Sequence, residues 1–268
     1  MFIPPKQINK ALSEAYRLIK EKDLQSALAI CEAIINNGPQ EKYIKALLMK
    51  SYTFKMMGRY EEALELCSQV QQMTPENASC YQGFGNTLFA MERYSDAKEY
   101  FELALKYNPS DVEWYYNKIG EIHLKLSEYL EAIEYFNKAI KVKPKDWYSH
   151  EKKGIALYKL GKYEEALACF DEAIKLIEGD HTYQTARKGS GNHPLYDALA
   201  QIYKRQGKAY FNLGKYKEAS RSFKYVIWSC LKDSKLAKKC QEYKNLSDQR
   251  MREAKTPTGQ APTPTPTA

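Results

Sequence analysis

The sequence predicts an all-α fold: a right-handed superhelical solenoid of antiparallel helix hairpins, with a capping helix at the C-terminal end. The first observation is a repeated segment, since the start of Leu160–Ala173 (Leu-Gly-Lys-Tyr) recurs at Leu213–Tyr216. The second is a set of six alanines spaced by 36, 34, 35, 34 and 53 residues. The third is a phenylalanine four residues after four of these alanines. A nearly fixed period in this range is typical of stacked two-helix units.

The six alanines mark a stripe on the second helix of each unit, because residues four apart share one helix face. These alanines are Ala27, Ala63, Ala97, Ala132, Ala166 and Ala219. The residues four positions later are Cys31, Cys67, Phe101, Phe136, Phe170 and Phe223. About twelve residues before each alanine is a small residue of the first helix: Ala15, Ser51, Gly85, Gly120, Gly154 and Gly207. A glycine inside a helix costs ~1 kcal/mol relative to alanine, so we expect close helix contact there.

The pattern resembles the tetratricopeptide repeat, which reads W-x₂-L-G-x₂-Y, then A-x₃-F, then P. In one copy Gly120, Ala132, Phe136 and Pro144 occupy the later positions of this consensus. The aromatic that opens the consensus is kept only at Tyr81, Tyr116 and Tyr203, and is replaced at Ala11, Leu47 and His150. The resemblance covers six copies over most of the chain.

The repeats and the breaks between them predict the domain organisation. We expect a leader at 1–7, a solenoid at 8–231, a basic capping helix at 232–255 and a disordered Thr/Pro tail at 256–268. The repeats are expected at about 8–41, 44–77, 78–111, 113–146, 147–178 and 200–231, with an insertion at about 179–199. The tail alternates Pro and Thr and carries no apolar residues that could form a core.

The insertion lengthens one period by about 19 residues. Its sequence is polar and contains several glycines, so we expect most of it to be an exposed loop. Asn192-His193-Pro194 is typical of a helix start, with Pro in the first turn. We therefore expect the next helix to begin at about Pro194. The insertion is either functional, as long loops often are, or a tolerated surface insertion.

Helix-forming residues continue after the sixth repeat and predict the capping helix. Leu236, Cys240, Tyr243 and Leu246 have helical spacing, so we expect them to cover the last repeat while the other face meets water.

The net charge of +8 is concentrated at the C-terminal end. Residues 200–268 contain 15 Lys+Arg and 5 Asp+Glu, whereas the rest contains 26 and 28. No apolar run is long enough to span a membrane. The N-terminus lacks the basic start and apolar stretch of a signal peptide. The six cysteines form no C-x-x-C pair, so they indicate reduced core residues and a cytoplasmic protein, with the nucleus as the alternative.

The sequence contains no arrangement of residues that predicts catalysis, so we expect a non-enzymatic protein without metal or cofactor. His123 and His150 lack partners at metal-ligand spacing, and the histidines of the insertion share only Asp180. Pairs such as Glu164-Glu165 open helices, where the positive end of the helix dipole favours them.

Stacked hairpins curve, so we expect the first helices to line a concave face. The resemblance implies that this face binds an extended peptide or a helix of another protein. Counting from the small residues predicts the following peptide-binding groove: Gln82, Asn86, Phe89, Asn117, Glu121, Lys125, Lys152, Ile155, Tyr158, Lys159, Lys204, Arg205, Lys208, Phe211 and Asn212. The basic members of this set favour an acidic segment in the partner.

The leading hypothesis is therefore a protein-protein interaction scaffold or adaptor. One alternative is binding of nucleic acid or an acidic membrane surface by the basic C-terminal helix. Another follows from the resemblance, since one branch of the family holds the acidic C-terminal peptide of heat-shock chaperones in a Lys/Asn/Arg clamp. Asn86 occupies a clamp position and Lys152 replaces an Arg, while Gln82, Lys118 and Tyr148 depart from it. The sequence does not predict the oligomeric state.

Overall fold

The computed structural model describes residues 3–4, 7–37, 40–188, 194–229 and 235–254. Within these residues there are fourteen α-helices and no strand. The chain forms two compact units, residues 1–142 and 143–268. The N-terminal unit contains α1 Ile8–Lys20, α2 Leu24–Asn37, α3 Gln40–Met56, α4 Tyr60–Met73, α5 Ala78–Ala90, α6 Tyr94–Tyr107, α7 Val112–Lys125 and α8 Tyr129–Val142. The C-terminal unit contains α9 Trp147–Lys159, α10 Tyr163–Glu178, α11 His181–Lys188, α12 Pro194–Asn212, α13 Tyr216–Ser229 and α14 Lys235–Glu253.

The helices pair into the six hairpins that the sequence predicts. In the N-terminal unit α1 packs on α2, α3 on α4, α5 on α6 and α7 on α8. In the C-terminal unit α9 packs on α10 and α12 on α13. Within the N-terminal unit the second helix of each hairpin also packs on the first helix of the next. Helix α3 begins at Gln40, before the repeat expected at about 44–77, because Glu41 and Lys42 are good helix formers.

All six hairpin turns have the same backbone geometry. Each contains one residue with positive φ, which is glycine in three turns and Lys22, Glu92 or Ser127 in the others. The next residue donates its N–H to the carbonyl five residues earlier, as Arg93 does to Leu88 at 2.9 Å. This bond satisfies a carbonyl at the end of the first helix. Non-glycine residues seldom adopt positive φ, so the packing of the two helices holds the turn even where the sequence lacks glycine.

The predicted stripe is the core of the hairpins. All six alanines, and the six Phe or Cys residues that follow them, are 0% exposed. The small residue of the first helix lies against the aromatic ring of the second. A Cβ atom added to Gly120 would come within 2.8 Å of Cε1 of Phe136. The same close approach is found at Gly85, Gly154 and Gly207.

The sizes of the facing residues are matched in every hairpin. Glycine faces phenylalanine in four hairpins, whereas Ala15 and Ser51 occupy the glycine position in the two hairpins that carry cysteine. Ser51 donates from Oγ to the carbonyl of Ala63 at 2.8 Å and lies 3.2 Å from Sγ of Cys67. Because protein interiors are close-packed, the larger residue on one helix requires the smaller one on the other.

The described cysteines are buried and are not in disulfides. Burial raises the pKa of the Cys31 and Cys80 thiols to about 12. The thiolate is the reactive form, so these two side chains are inert at neutral pH.

Part of the insertion is helical, so the prediction of an exposed loop is wrong for His181–Lys188. Asp180 caps this helix, because its Oδ1 accepts the N–H groups of Thr182 and Tyr183 at 2.8 and 3.2 Å. Tyr183 is only 3% exposed and its ring lies 5.3 Å from that of Tyr196. Residues 189–193 lie outside the described residues. Helix α12 begins at Pro194, as predicted.

Helix α14 packs on α13, but its buried face differs from the predicted one. Cys240 is buried and the ring of Tyr243 stacks on Phe223 at 5.4 Å, as the spacing predicts. Leu246, by contrast, is 39% exposed, and Ser247 is buried in its place. Successive residues of an α-helix point in directions about 100° apart. When Ser247 faces α13, Leu246 therefore lies outside the interface. The predicted tail at 256–268 lies outside the described residues.

The start of α5 offers a test of helix capping. Oδ1 of Asn77 accepts the backbone N–H of Cys80 at 3.1 Å. We expect Asn77→Ala to lower the free energy of unfolding by ~1 kcal/mol, because this N–H loses its partner. Urea unfolding followed by circular dichroism measures the change. Asn77→Asp keeps an acceptor and should be near wild type; an equal loss in both variants would contradict the capping role.

Candidate functional site

The first helices of the N-terminal unit line a groove of about 910 Å³. Each of the four hairpins contributes its first helix, so the groove lies on the face that the sequence assigns to binding. The lining residues of α1 and α3 are Leu12, Ser13, Tyr16, Lys45, Leu48, Met49, Ser51, Tyr52 and Lys55. Those of α5 and α7 are Ser79, Gln82, Gly83, Asn86, Thr87, Trp114 and Lys118.

The walls of the groove differ in chemistry. Helices α1 and α3 contribute aliphatic side chains together with the rings of Tyr16 and Tyr52. Helix α5 contributes small and polar side chains, among them the amides of Gln82 and Asn86. Helix α7 adds the indole ring of Trp114. The groove therefore provides an apolar wall beside a row of hydrogen-bonding groups.

The charged residues that line the groove are three lysines, with no aspartate or glutamate among them. Lys55 places its Nζ 4.4 Å from the ring centroid of Tyr52. Burial lowers the pKa of Lys55, and the positive charge of Lys118 lowers it further. Lys118 forms an ion pair with Glu121 at 2.8 Å and lies 5.6 Å from the ring centroid of Trp114. Nearby rings stabilise both ammonium groups through cation–π contacts.

Of the groove residues predicted in this unit, Gln82 and Asn86 line the groove. Phe89 does not line it; it is half-buried and meets Tyr94 edge-on at 5.3 Å. Asn117 is 4% exposed and donates to Oε1 of Glu113 at 2.6 Å, so its prediction as a groove residue is wrong.

The other two predicted residues of α7 are also absent from the lining. Glu121 instead pairs with Lys118, and Lys125 is exposed at the last residue of the helix. Trp114 and Lys118, which lie nearer the start of the same helix, line the groove.

The predicted residues of the C-terminal unit lie on α9 and α12, which contact each other. Arg205 forms an ion pair with the buried Glu151, and Nδ2 of Asn212 donates to the Tyr158 hydroxyl at 3.1 Å. These two contacts bring one face of α9 against one face of α12. Ile155 is half-buried and Lys159 is exposed on α9.

Several of the basic residues in this unit have partners within the unit. Lys152 lies over the ring of Tyr148 at 4.6 Å, and Lys208 over that of Tyr243 at 5.0 Å. Lys204 donates to Gln201 at 2.5 Å. Phe211 meets the ring of Tyr216 edge-on at 5.3 Å. Binding of an acidic segment at these residues stays a prediction.

The basic C-terminal helix also forms internal ion pairs. Lys244 pairs with Asp248 at 2.7 Å and Arg250 with Glu253 at 3.4 Å. Its role in binding nucleic acid or an acidic membrane surface stays a prediction.

Neither a metal site nor a membrane span is found among the described residues. In the part of the chain that the structure describes, no three His, Cys, Asp or Glu side chains are grouped so as to hold a metal ion. Every helix of that part is too short or too polar to span a bilayer.

Comparison with known proteins identifies the repeats. Residues 83–146 and 117–181 each match the family model of the tetratricopeptide repeat. Residues 83–181 therefore consist of tetratricopeptide repeats. The fold is thus of a type that is typical of protein-protein interaction scaffolds.

Solved structures have the same tetratricopeptide fold at low sequence identity. PilW, described as a widely conserved type IV pilus biogenesis factor, has a TM-score of 0.70 and 16% identity, covering 87% of this chain and 98% of that one. YrrB, described as a TPR protein with an unusual peptide-binding site, has a TM-score of 0.54 and 20% identity, covering 79% and 96%.

Among curated proteins, a relative is DnaJ homolog subfamily C member 3 of Bos taurus. It is 26% identical over 110 residues, which are 40% of this chain. The matched region spans only 22% of the length of that relative.

Sequence reasoning missed most of the groove, because the predicted candidates begin only at the third repeat. Gln82 and Asn86 lie three residues before and one after Gly85. The same offsets from Ala15 and Ser51 give further lining residues: Leu12, Tyr16, Leu48 and Tyr52. The offsets fail on α7, where Trp114 and Lys118 line the groove and Asn117 is buried.

Proposed function

We propose that this protein is a non-enzymatic adaptor that binds a segment of a partner protein in the groove of its N-terminal unit. The observation that carries the proposal is the lining itself, in which four successive first helices combine amides, aromatic rings and lysines. Such a surface suits an extended peptide, whose backbone needs hydrogen bonds and whose side chains need apolar contacts.

The amides of Gln82 and Asn86 are available to a ligand. Among the described residues, neither side chain has a hydrogen-bond partner. Each amide offers a carbonyl acceptor and two N–H donors, which can pair with the N–H and C=O groups of a peptide backbone. The groove lining contains no serine or threonine hydroxyl that is hydrogen-bonded to any general base that the structure describes. This supports binding rather than catalysis.

The test is selection of twelve-residue peptides from a display library against the full chain, followed by affinity measurement with fluorescence anisotropy. We expect the double variant Gln82→Ala, Asn86→Ala to weaken binding by about tenfold, because each lost hydrogen bond is worth ~0.5–1.5 kcal/mol.

The matched control changes two exposed glutamines of α4, Gln69→Ala and Gln72→Ala, which lie on a second helix outside the groove. Its affinity should equal that of wild type. The proposal fails if the groove variant keeps full affinity for every selected peptide, or if both variants lose the same amount.

A further inference from the structure

We propose that the segment bound in the groove carries internal acidic side chains, one of whose carboxylates lies between Lys55 and Lys118. This inference rests on the proposed function, namely that the groove binds a peptide. It adds the chemical class of the ligand and the two lysines that recognise it.

The first argument is the charge of the groove. Its lining contains Lys45, Lys55 and Lys118 but no acidic residue. Lys118 is neutralised in part by Glu121, whereas Lys55 has no ion pair with any residue that the structure describes. An anionic ligand supplies the charge that the lining lacks.

The second argument is that the surroundings of Lys55 on α3 disfavour its positive charge. Lys55 is half-buried in the same lining as Lys118, and burial lowers the pKa of Lys55, with the positive charge of Lys118 lowering it further. Desolvation and repulsion both oppose a positive charge at this position. A carboxylate between the two ammonium groups offsets the repulsion between them. It also replaces the hydration that the Lys55 ammonium group loses on burial.

The third argument concerns the geometry of the two ammonium groups. Each has an aromatic ring beside it: Tyr52 for Lys55 and Trp114 for Lys118. A ring face accepts a cation but leaves the remaining ammonium protons to other acceptors. Each of the two lysines therefore keeps ammonium protons that can be donated to a carboxylate oxygen of the ligand.

The ligand requires several acidic residues within its length rather than a terminal carboxylate alone. Lys45 and Lys55 are ten residues apart on α3, which separates them by about 15 Å along the helix axis. An extended chain covers that distance in about four to five residues. A single α-carboxylate contacts only one of the two positions, so acidic side chains are needed to use both.

The test compares fluorescein-labelled twelve-residue peptides of Glu, Leu and Ser with counterparts in which every Glu is Gln. At low salt we expect the Glu peptide to bind the full chain at least about tenfold more tightly, and the difference to shrink as salt screens the charges. Amidation of the C-terminus should leave the affinity unchanged.

The variants Lys55→Met and Lys118→Met remove the charge and keep most of the side-chain volume. Each is expected to reduce the preference for Glu over Gln about threefold or more. The matched control is Lys125→Met, an exposed lysine of α7 outside the groove, which should keep the full preference. Lys55→Met should also raise the Tm, because it removes a repelled and desolvated charge. A residue needed only for folding would not combine higher stability with weaker binding.

The outcomes separate this inference from the proposed function. Equal affinity for the Glu and Gln peptides, or an unchanged preference in Lys55→Met, overturns the inference while selected peptides still bind the groove. Tighter binding of a phosphoserine peptide than of the Glu peptide overturns the choice of carboxylate, and loss of binding on amidation overturns the internal position. If no selected peptide depends on Gln82 and Asn86, the proposed function itself fails.

Discussion

Phe136→Ala is expected to lower the free energy of unfolding by about 3–5 kcal/mol. The ring of Phe136 is fully buried in the fourth hairpin and fills the space next to Gly120. Glycine has no side chain that could move into the vacated volume, so the cavity cannot close by a rotamer change on the facing helix. The loss therefore includes both the burial of the ring and the remaining cavity.

Guanidinium unfolding followed by circular dichroism measures this loss. Leu130→Ala is the control on the same helix, since Leu130 is 61% exposed and its truncation should change stability by less than about 0.5 kcal/mol. Similar losses in the two variants would mean that the buried face of α8 has been assigned wrongly.

Gly120→Ser is expected to destabilise the protein by ~1–3 kcal/mol, because its new Cβ overlaps the ring of Phe136. The matching of sizes within each hairpin leads to a stronger expectation for the double variant. Gly120→Ser with Phe136→Cys recreates the pair Ser51 and Cys67 of the second hairpin. The double variant should therefore be more stable than the sum of the two single effects predicts.

A double-mutant cycle from denaturant unfolding tests this coupling, and residues in contact typically couple by ~0.5–3 kcal/mol. The same two changes at non-facing positions, Gly120→Ser with Phe170→Cys, supply the control and should be additive. Additive effects for the facing pair would contradict the idea that the two residues compete for one volume.

The hairpins were predictable from the sequence because their signals are local. Ala132 and Phe136 share a helix face by covalent spacing alone, and both are buried as that spacing requires. The turns show the limit of local reasoning. Lys22, Glu92 and Ser127 adopt the positive φ that Gly58 and Gly161 adopt, although their side chains do not favour it.

The errors occur where burial depends on partners distant in sequence. The insertion has the composition of a loop, yet Asp180 caps a helix whose Tyr183 is buried beside Tyr196. The other wrong prediction is the buried face of α14. Leu246 and Ser247 are adjacent in sequence, and only the packing of α14 on α13 decides which of them is buried.

The sequence by itself determined the number of hairpins and the buried alanine and Phe or Cys residues of each one, because helix periodicity and a fixed repeat length are properties of the covalent chain. Only the tertiary structure decided which side chains form the groove. That choice depends on the packing between repeats, which brings Lys55 of α3 and Lys118 of α7 into the same lining and leaves Asn117 buried. The packing between repeats is set by side-chain contacts across their interface, and no spacing within a single repeat specifies it.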